Sequence, residues 1–292
     1  MIWNQKFNFD EIGTSWTIEY TGVSKLSPEL LIEKIRAEIN KFSRVFSRFD
    51  KNSAVFKSSQ TASEIIVPKA YLPLLDIYKS LYKLTDGLFT PLIGNLLSES
   101  GYDENYSLVQ KKLNPVPQWD QVIEISRESI KFKKPWLLDF GAAGKGFIID
   151  LIGELLVDQN IKSYCIDAGG DIRYKSDNNQ KLKIGLEHPD NLDQVLGIAN
   201  LETGSICGSS GNRRKWANLH HIFNPKKLDS VREVLAVWVI SDTALIADAL
   251  STALFFVNPE KLSTDFQFQF LIIYPDLTFK KSSDFPGEVY VA

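Results

Sequence analysis

Apolar residues Leu31, Ile35, Ile39, Phe42 and Phe46 recur at the spacing of one helical face. They predict a helix that starts at Ser27-Pro28, a good cap followed by a good first residue. A second helix is expected over Lys69 to Leu84, stopping near Gly87, and "FTPLIGNLL" continues into a short helix past Pro91. Thr14 to Tyr20 alternates as a strand does. The part up to about residue 115 therefore reads as mostly helical. From Gln121 the period shortens: "VIEI" and "IKF" predict a hairpin, Trp136 to Leu138 a strand, and Gly146 to Val157 an amphipathic helix after a glycine turn. "YCIDAGGDIRYK", "KLKIGLE", "VLGIANL", "EVLAVWVI" and "FLIIYP" read as further strands, Thr203 to Asn218 as a polar, glycine-rich connection, and "TALIADALSTALFFV" as a helix. With no repeat and no low-complexity linker, the expected class is α+β: a mixed sheet with surrounding helices, in one domain over residues 1–292 with two lobes.

Composition narrows the classes of function. Hydrophobic residues make up 44% and charged residues 24%, the balance of a globular chain rather than a disordered one. Net charge is −3, with no basic stripe, so nucleic acid is not an expected partner. No apolar run reaches the roughly 18 residues of a membrane span. Cys165 and Cys207 lie far apart without CxxC spacing, which signals neither zinc nor a disulfide framework. The first twenty residues lack an export signal. The expected location is cytoplasmic as the chain is written, or periplasmic or cell-envelope if a leader has been removed.

Three stretches carry candidate chemistry. In "LLDFGAAGKGFIID", Gly141, Gly144 and Gly146 miss the dinucleotide spacing, and Lys145 is not followed by Ser or Thr. Backbone N–H groups at a helix start beside a lysine suit an anionic group. A tight turn with a solvated lysine fits equally. In "TALIADALSTALFFV" the apolar positions run almost all round the helix while Asp248 sits in the middle. A buried carboxylate needs a partner. Thr252, four positions on, shares its face, and two hard oxygens suit Mg²⁺; a bond to a neighbouring lobe is the plainer reading. In "SICGSSGNRRKWANLHHIFNPKK", a polar loop with Arg213 and Arg214 precedes His220 and His221. Adjacent residues in a strand face opposite ways, so at most one histidine meets a given ligand, as base or donor, unless it serves only the turn before Pro225. "DAGGDI", with its paired glycines, reads as a bulge or tight hairpin.

In this order the segments resemble the ApbE family, the FAD:protein FMN transferases. "LLDFGAAGKGFIID" is similar to the family's Asp-Leu-Gly-Gly-Ile-Ala-Lys-Gly-Tyr-x-x-Asp block, "DAGGDIR" to its Gly-Gly-Asn/Asp-Ile turn, and "CGSSGNRRKW" with "HHIFNP" to its Thr-Ser-Gly and His-His-Ile-x-Asp-Pro segments. "SDTALIADALSTALF" resembles its Ala-Asp-Ala-x-x-Thr-Ala helix; "IGT", "FSRFDKNSAV" and "DGLFTPLIGNLL" resemble its upstream blocks. The likeness runs from about Ile12 to Phe256. It implies cleavage of the FAD pyrophosphate and transfer of FMN to a Thr or Ser hydroxyl of an acceptor protein, releasing AMP. An FAD pyrophosphatase or a non-catalytic FAD-binding protein are the alternatives. It further implies Mg²⁺ on Asp248, Thr252 and the Ala142 carbonyl, and catalytic roles for His221 and Asp248. FAD contacts fall to Ile12, Phe49 (as a stacking ring), Leu88, Phe89, Thr90, Asp139, Lys145 and Ile222. Two positions depart from the pattern, Thr90 and Asn224 each standing where the family has Asp.

Overall fold

The computed structural model describes residues 3–212 and 214–290. Eight strands form the main sheet, in the order β1 (Gln5–Glu11), β2 (Thr14–Thr21), β6 (Ser163–Ala168), β7 (Asp171–Lys175), β10 (Gly204–Ser210), β15 (Ala236–Ser241), β16 (Gln269–Ile273) and β17 (Phe279–Lys281). The α+β class is as expected, but each pairing in this sheet is antiparallel rather than mixed. Neighbouring strands run as hairpins or return after an excursion on one face, and no parallel crossover is needed.

Both faces of the sheet are buried, which explains its near-continuous apolar runs. Alternate residues of one strand enter different cores: Ile166, Cys207 and Ile272 pack under the helices, whereas Cys165, Ile206 and Leu271 pack against a second sheet. The helical layer holds α1 (Pro28–Phe46), α2 (Ala54–Gln60), α3 (Leu72–Leu84), α4 (Gly94–Glu99), α5 (Gly144–Asp158), α6 (Ala244–Ala253) and α7 (Pro259–Leu262). The five apolar residues predicted for the face of α1 are all buried, and Ser27 caps it through the Leu30 N–H. The second sheet has the order β18 (Gly287–Val289), β9 (Asn191–Leu201), β8 (Leu182–His188). A third small sheet joins β3 (Glu64–Ile66) to the predicted hairpin of β4 (Ile123–Ile125) and β5 (Ser129–Phe132). Two short ladders follow the main strand β10: β11 (Lys215–Trp216) with β12 (Leu219–His220), and β13 (Phe223–Asn224) with β14 (Asp229–Ser230).

Several expectations need correction. Trp136 to Leu138 forms no strand with the described residues: the Leu137 N–H donates to Asn95 Oδ1 (2.7 Å), the Asp139 N–H to the Pro91 carbonyl (2.8 Å) and Trp136 Nε1 to the Leu92 carbonyl (2.8 Å). The turn into α4 has taken the partners a strand would use. The supposed connection from Thr203 contains β10, a central strand whose serines and glycines hide it from a propensity reading. The amino-terminal part is less helical than expected, because β1 and β2 belong to the main sheet. Among the described residues, no helix is long and apolar enough to cross a membrane.

Candidate functional site

A cavity of about 1130 Å³ opens where the start of α5, the middle and end of α6, the β6–β7 turn, the end of β10 and the β8–β9 hairpin meet. That is ample for a large nucleotide ligand. The hairpin of β1 and β2 reaches its rim through Ile12 and Gly13, both in the left-handed region (φ 46 and 73), the pairing a two-residue turn of this hand requires.

The glycine turn is built around two ion pairs. Asp139 accepts the Gly141 N–H on Oδ1 (2.7 Å) and Arg48 Nε on Oδ2 (2.5 Å). Arg48 is buried, its Nη1 donates to the Tyr102 carbonyl (2.7 Å), and its Nη2 has no hydrogen-bond partner among the described residues. Lys145 is not a solvated turn lysine. Its Nζ lies 2.7 Å from Asp171 Oδ2 and donates to the Ala168 carbonyl (3.2 Å). Burial opposes its charge, but Asp171 and then Asp248 hold its pKa above the ordinary value. Asp171 is itself buried and accepts the Gly208 N–H (3.1 Å), so the β6–β7 turn, a tight hairpin as read, also delivers a carboxylate to the site.

Helix α6 is fixed from its first turn. The Asp150 carboxylate accepts the N–H groups of Ala244 (2.9 Å) and Leu245 (2.8 Å) and pairs with Arg173. Across the α5–α6 crossing, the Gly146 N–H donates to Asp248 Oδ2 (2.8 Å). A Cβ at Gly146 would stand 2.1 Å from the Ala244 carbonyl oxygen, so only glycine permits this approach. Asp248 thus has the interhelix partner of the plainer reading. Its surroundings disfavour the ionised carboxylate: burial, then nearby Asp171, push its pKa up to about 7 against Lys145, the Gly146 N–H and Arg214. A cation would relieve that imbalance. Thr252, one turn on, sits 3.3 Å from Ser209 Oγ by its hydroxyl, and Asp248, Thr252 and Ala142 line the same cavity. Among the described residues no group of three His, Cys, Asp or Glu side chains is placed to hold a metal ion, and a hard cation here would rely on one carboxylate with hydroxyl and carbonyl oxygens.

The two histidines part company as predicted. His220 Nε2 bonds to the Val231 carbonyl (2.7 Å), while His221 lines the cavity with its Nδ1 buried and, among the described residues, unpartnered. Burial, then Arg214 and His220, lower the His221 pKa to about 3, so its ring stays neutral near pH 7. Arg214 lines the cavity; Arg213 lies outside the described residues. Ile12, Phe49, Leu88, Phe89, Thr90 and Ile222 all line it too. Thr90 Oγ1 caps the following turn through the Leu92 N–H (3.2 Å), and Asn224 Oδ1 accepts the N–H groups of Lys226 and Lys227. Sequence reasoning missed Arg48, Tyr102, Tyr106 and Trp238 as lining residues, and Asp171 as the lysine's partner. Arg48 had a signal, a charge set between the core residue Phe46 and Phe49. Trp238 had none, since it sits in an ordinary strand.

The chain has recognisable relatives. It is 24% identical over 289 residues to the FAD:protein FMN transferase of Escherichia coli K12, covering 90% of this chain and 81% of that one. With the Haemophilus influenzae FAD:protein FMN transferase it shares 23% over 282 residues, 86% of this chain and 80% of the relative. Among solved structures, the ApbE protein of Thermotoga maritima superposes with a TM-score of 0.82 at 24% identity, over 96% of this chain and 97% of that one. The flavin transferase ApbE of Vibrio cholerae gives 0.76 at 19%, over 95% and 96%. The model of the ApbE family matches residues 12–267, which take in all seven helices and five of the eight strands of the main sheet described above, and the chain belongs to that family.

Proposed function

We propose that the protein is an FAD:protein FMN transferase. The observation that carries this reading is the convergence, on one cavity of an ApbE-family chain, of Asp248, Thr252 and Ala142 with a neutral His221. In the reaction, the hydroxyl oxygen of a Thr or Ser on an acceptor protein attacks the flavin-side phosphorus of FAD. The bond from that phosphorus to the bridging oxygen breaks, AMP departs with the electron pair, and FMN remains as a phosphoester. His221 is the group suited to take the hydroxyl proton, because its ring opens on the cavity, where the phosphates of bound FAD would raise the basicity that burial and Arg214 depress. Asp248, Thr252 and the Ala142 carbonyl would hold Mg²⁺, which when bound neutralises charge on the pyrophosphate and makes AMP a better leaving group. Lys145, kept charged by Asp171, adds positive potential on the same wall, and Asp139 positions Arg48.

The test is incubation with FAD, Mg²⁺ and a flavin-acceptor domain, read as flavin fluorescence retained by the acceptor in a denaturing gel. The reading predicts a fluorescent acceptor band that disappears with Asp248→Ala. Free FMN and AMP without a labelled acceptor would mean that water replaces the hydroxyl, and intact FAD would mean binding without turnover.

A further inference from the structure

Phe49, the ring expected to stack on a ligand, already has partners. The Arg48 guanidinium lies 4.0 Å from its centroid, and Tyr106 lies parallel to it at 5.3 Å with an interplanar angle of 6°. Tyr102 braces the group edge-on, 5.4 Å from Phe49 and 5.5 Å from Tyr106, and stacks in turn on Trp216 (5.5 Å, 26°). Tyr106 is different from the others: it lines the cavity, yet 54% of it is exposed.

The segment carrying Tyr106 is built to keep it there. Its φ of 50 is in the left-handed region, which an aromatic residue adopts only when its surroundings impose it. Asp103 imposes it: its carbonyl accepts the Tyr106 N–H (3.0 Å), and its carboxylate accepts the N–H groups of Asn105 and Ser107 (both 3.0 Å) and the Ser107 hydroxyl (2.6 Å). The Leu108 N–H then donates to the Gly101 carbonyl (2.8 Å), and Gly101 is so close that a Cβ would stand 2.7 Å from the Leu108 backbone. Tyr106 is thus a preset surface that a ligand need not order on arrival.

We propose that Tyr106 is the stacking platform for a planar ring of FAD, the isoalloxazine or the adenine, received on the face turned away from Phe49. Arg48, Phe49, Tyr106 and the ligand ring then form one column, in which Phe49 supports the contact instead of making it. This rests on the FAD reading above. Flat rings stack favourably on tyrosine, and removing such a platform weakens binding by roughly 5- to 30-fold.

The experiment is calorimetric titration of the wild type, Tyr106→Ala and Tyr106→Phe with FAD, and separately with FMN and with ADP. Tyr106→Ala is expected to weaken FAD binding by about tenfold, with Tyr106→Phe close to wild type. Whichever of FMN and ADP is weakened alongside FAD identifies the ring that stacks. Unchanged FAD binding by Tyr106→Ala overturns the platform while leaving the functional reading intact, and tighter binding overturns it by making Tyr106 a plug over Phe49. A wild type that binds no FAD overturns the functional reading and the platform together. Tyr106 is exposed, and Ala and Phe meet the same positive φ as Tyr, so matching thermal unfolding of the variants separates a binding effect from a folding one.

Discussion

Asp248 is held by one backbone N–H in surroundings that burial and Asp171 make unfavourable for its charge. An amide in its place keeps the acceptor for Gly146 and loses the charge. Asp248→Asn should therefore unfold at the same temperature as the wild type or higher in the absence of metal, while turnover falls by on the order of 10²- to 10³-fold. A variant that melts early would show the carboxylate to be a structural partner instead. His221 gives a pH signature. Its folded pKa, about 3, lies below the ordinary 6.5, so between these values the unfolded chain binds the proton and the folded one does not. The stability it lends is complete above pH 6.5 and is lost as pH falls towards 3. Urea titrations at pH 7 and pH 5 should show the wild type losing more stability than His221→Gln, by roughly 1 kcal/mol per pH unit. Equal losses would place the ring in water. That Asp248 and Thr252 face one cavity was legible because helical periodicity puts them on one face. The pairing of Lys145 with Asp171 was not, since it depends on how a helix start and a hairpin 26 positions on meet across the site.

The α5–α6 crossing is where element packing becomes site geometry. Asp150 caps α6 and neutralises Arg173, and Gly146 lets the helices approach until its N–H reaches Asp248. Asp150→Ala strands two N–H groups and a guanidinium, and should cost about 3 kcal/mol in urea unfolding. A change under 1 kcal/mol would mean that water replaces the cap. Gly146→Ala has no space for its methyl and should be destabilised by at least about 2 kcal/mol. Strong periodic elements were readable from the chain, α1 above all, because their faces and caps agree locally. The run Trp136 to Leu138 misled because apolar content cannot say whether backbone partners come from a sheet or, as here, from the Pro91–Asn95 turn. β10 was hidden for the opposite reason: Ile206 and Cys207 are buried on opposite faces, but the small polar residues around them give no strand signal.

At the scale of the molecule, an antiparallel sheet buried on both faces leaves the cavity at the edge shared by the helical layer and the second sheet. Each layer contributes lining residues, so a ligand there ties layers together. FAD at a hundred times its dissociation constant should add about 2.7 kcal/mol to the folded state, raising the melting temperature by about 5 °C; no shift would mean that the cavity does not take FAD. The order of the sequence blocks announced this site, since the resemblance ran through residues that the fold brings to one cavity. The aromatic column could not be foreseen, because Tyr106 reaches Phe49 through a turn that Asp103 and Gly101 shape in three dimensions. Group transfer itself is read by mass spectrometry of an acceptor domain after incubation with the protein, FAD and Mg²⁺. An FMN-sized mass gain on one Thr or Ser, with release of AMP, is the expected result. An acceptor of unchanged mass, alongside free FMN and AMP or intact FAD, would contradict it.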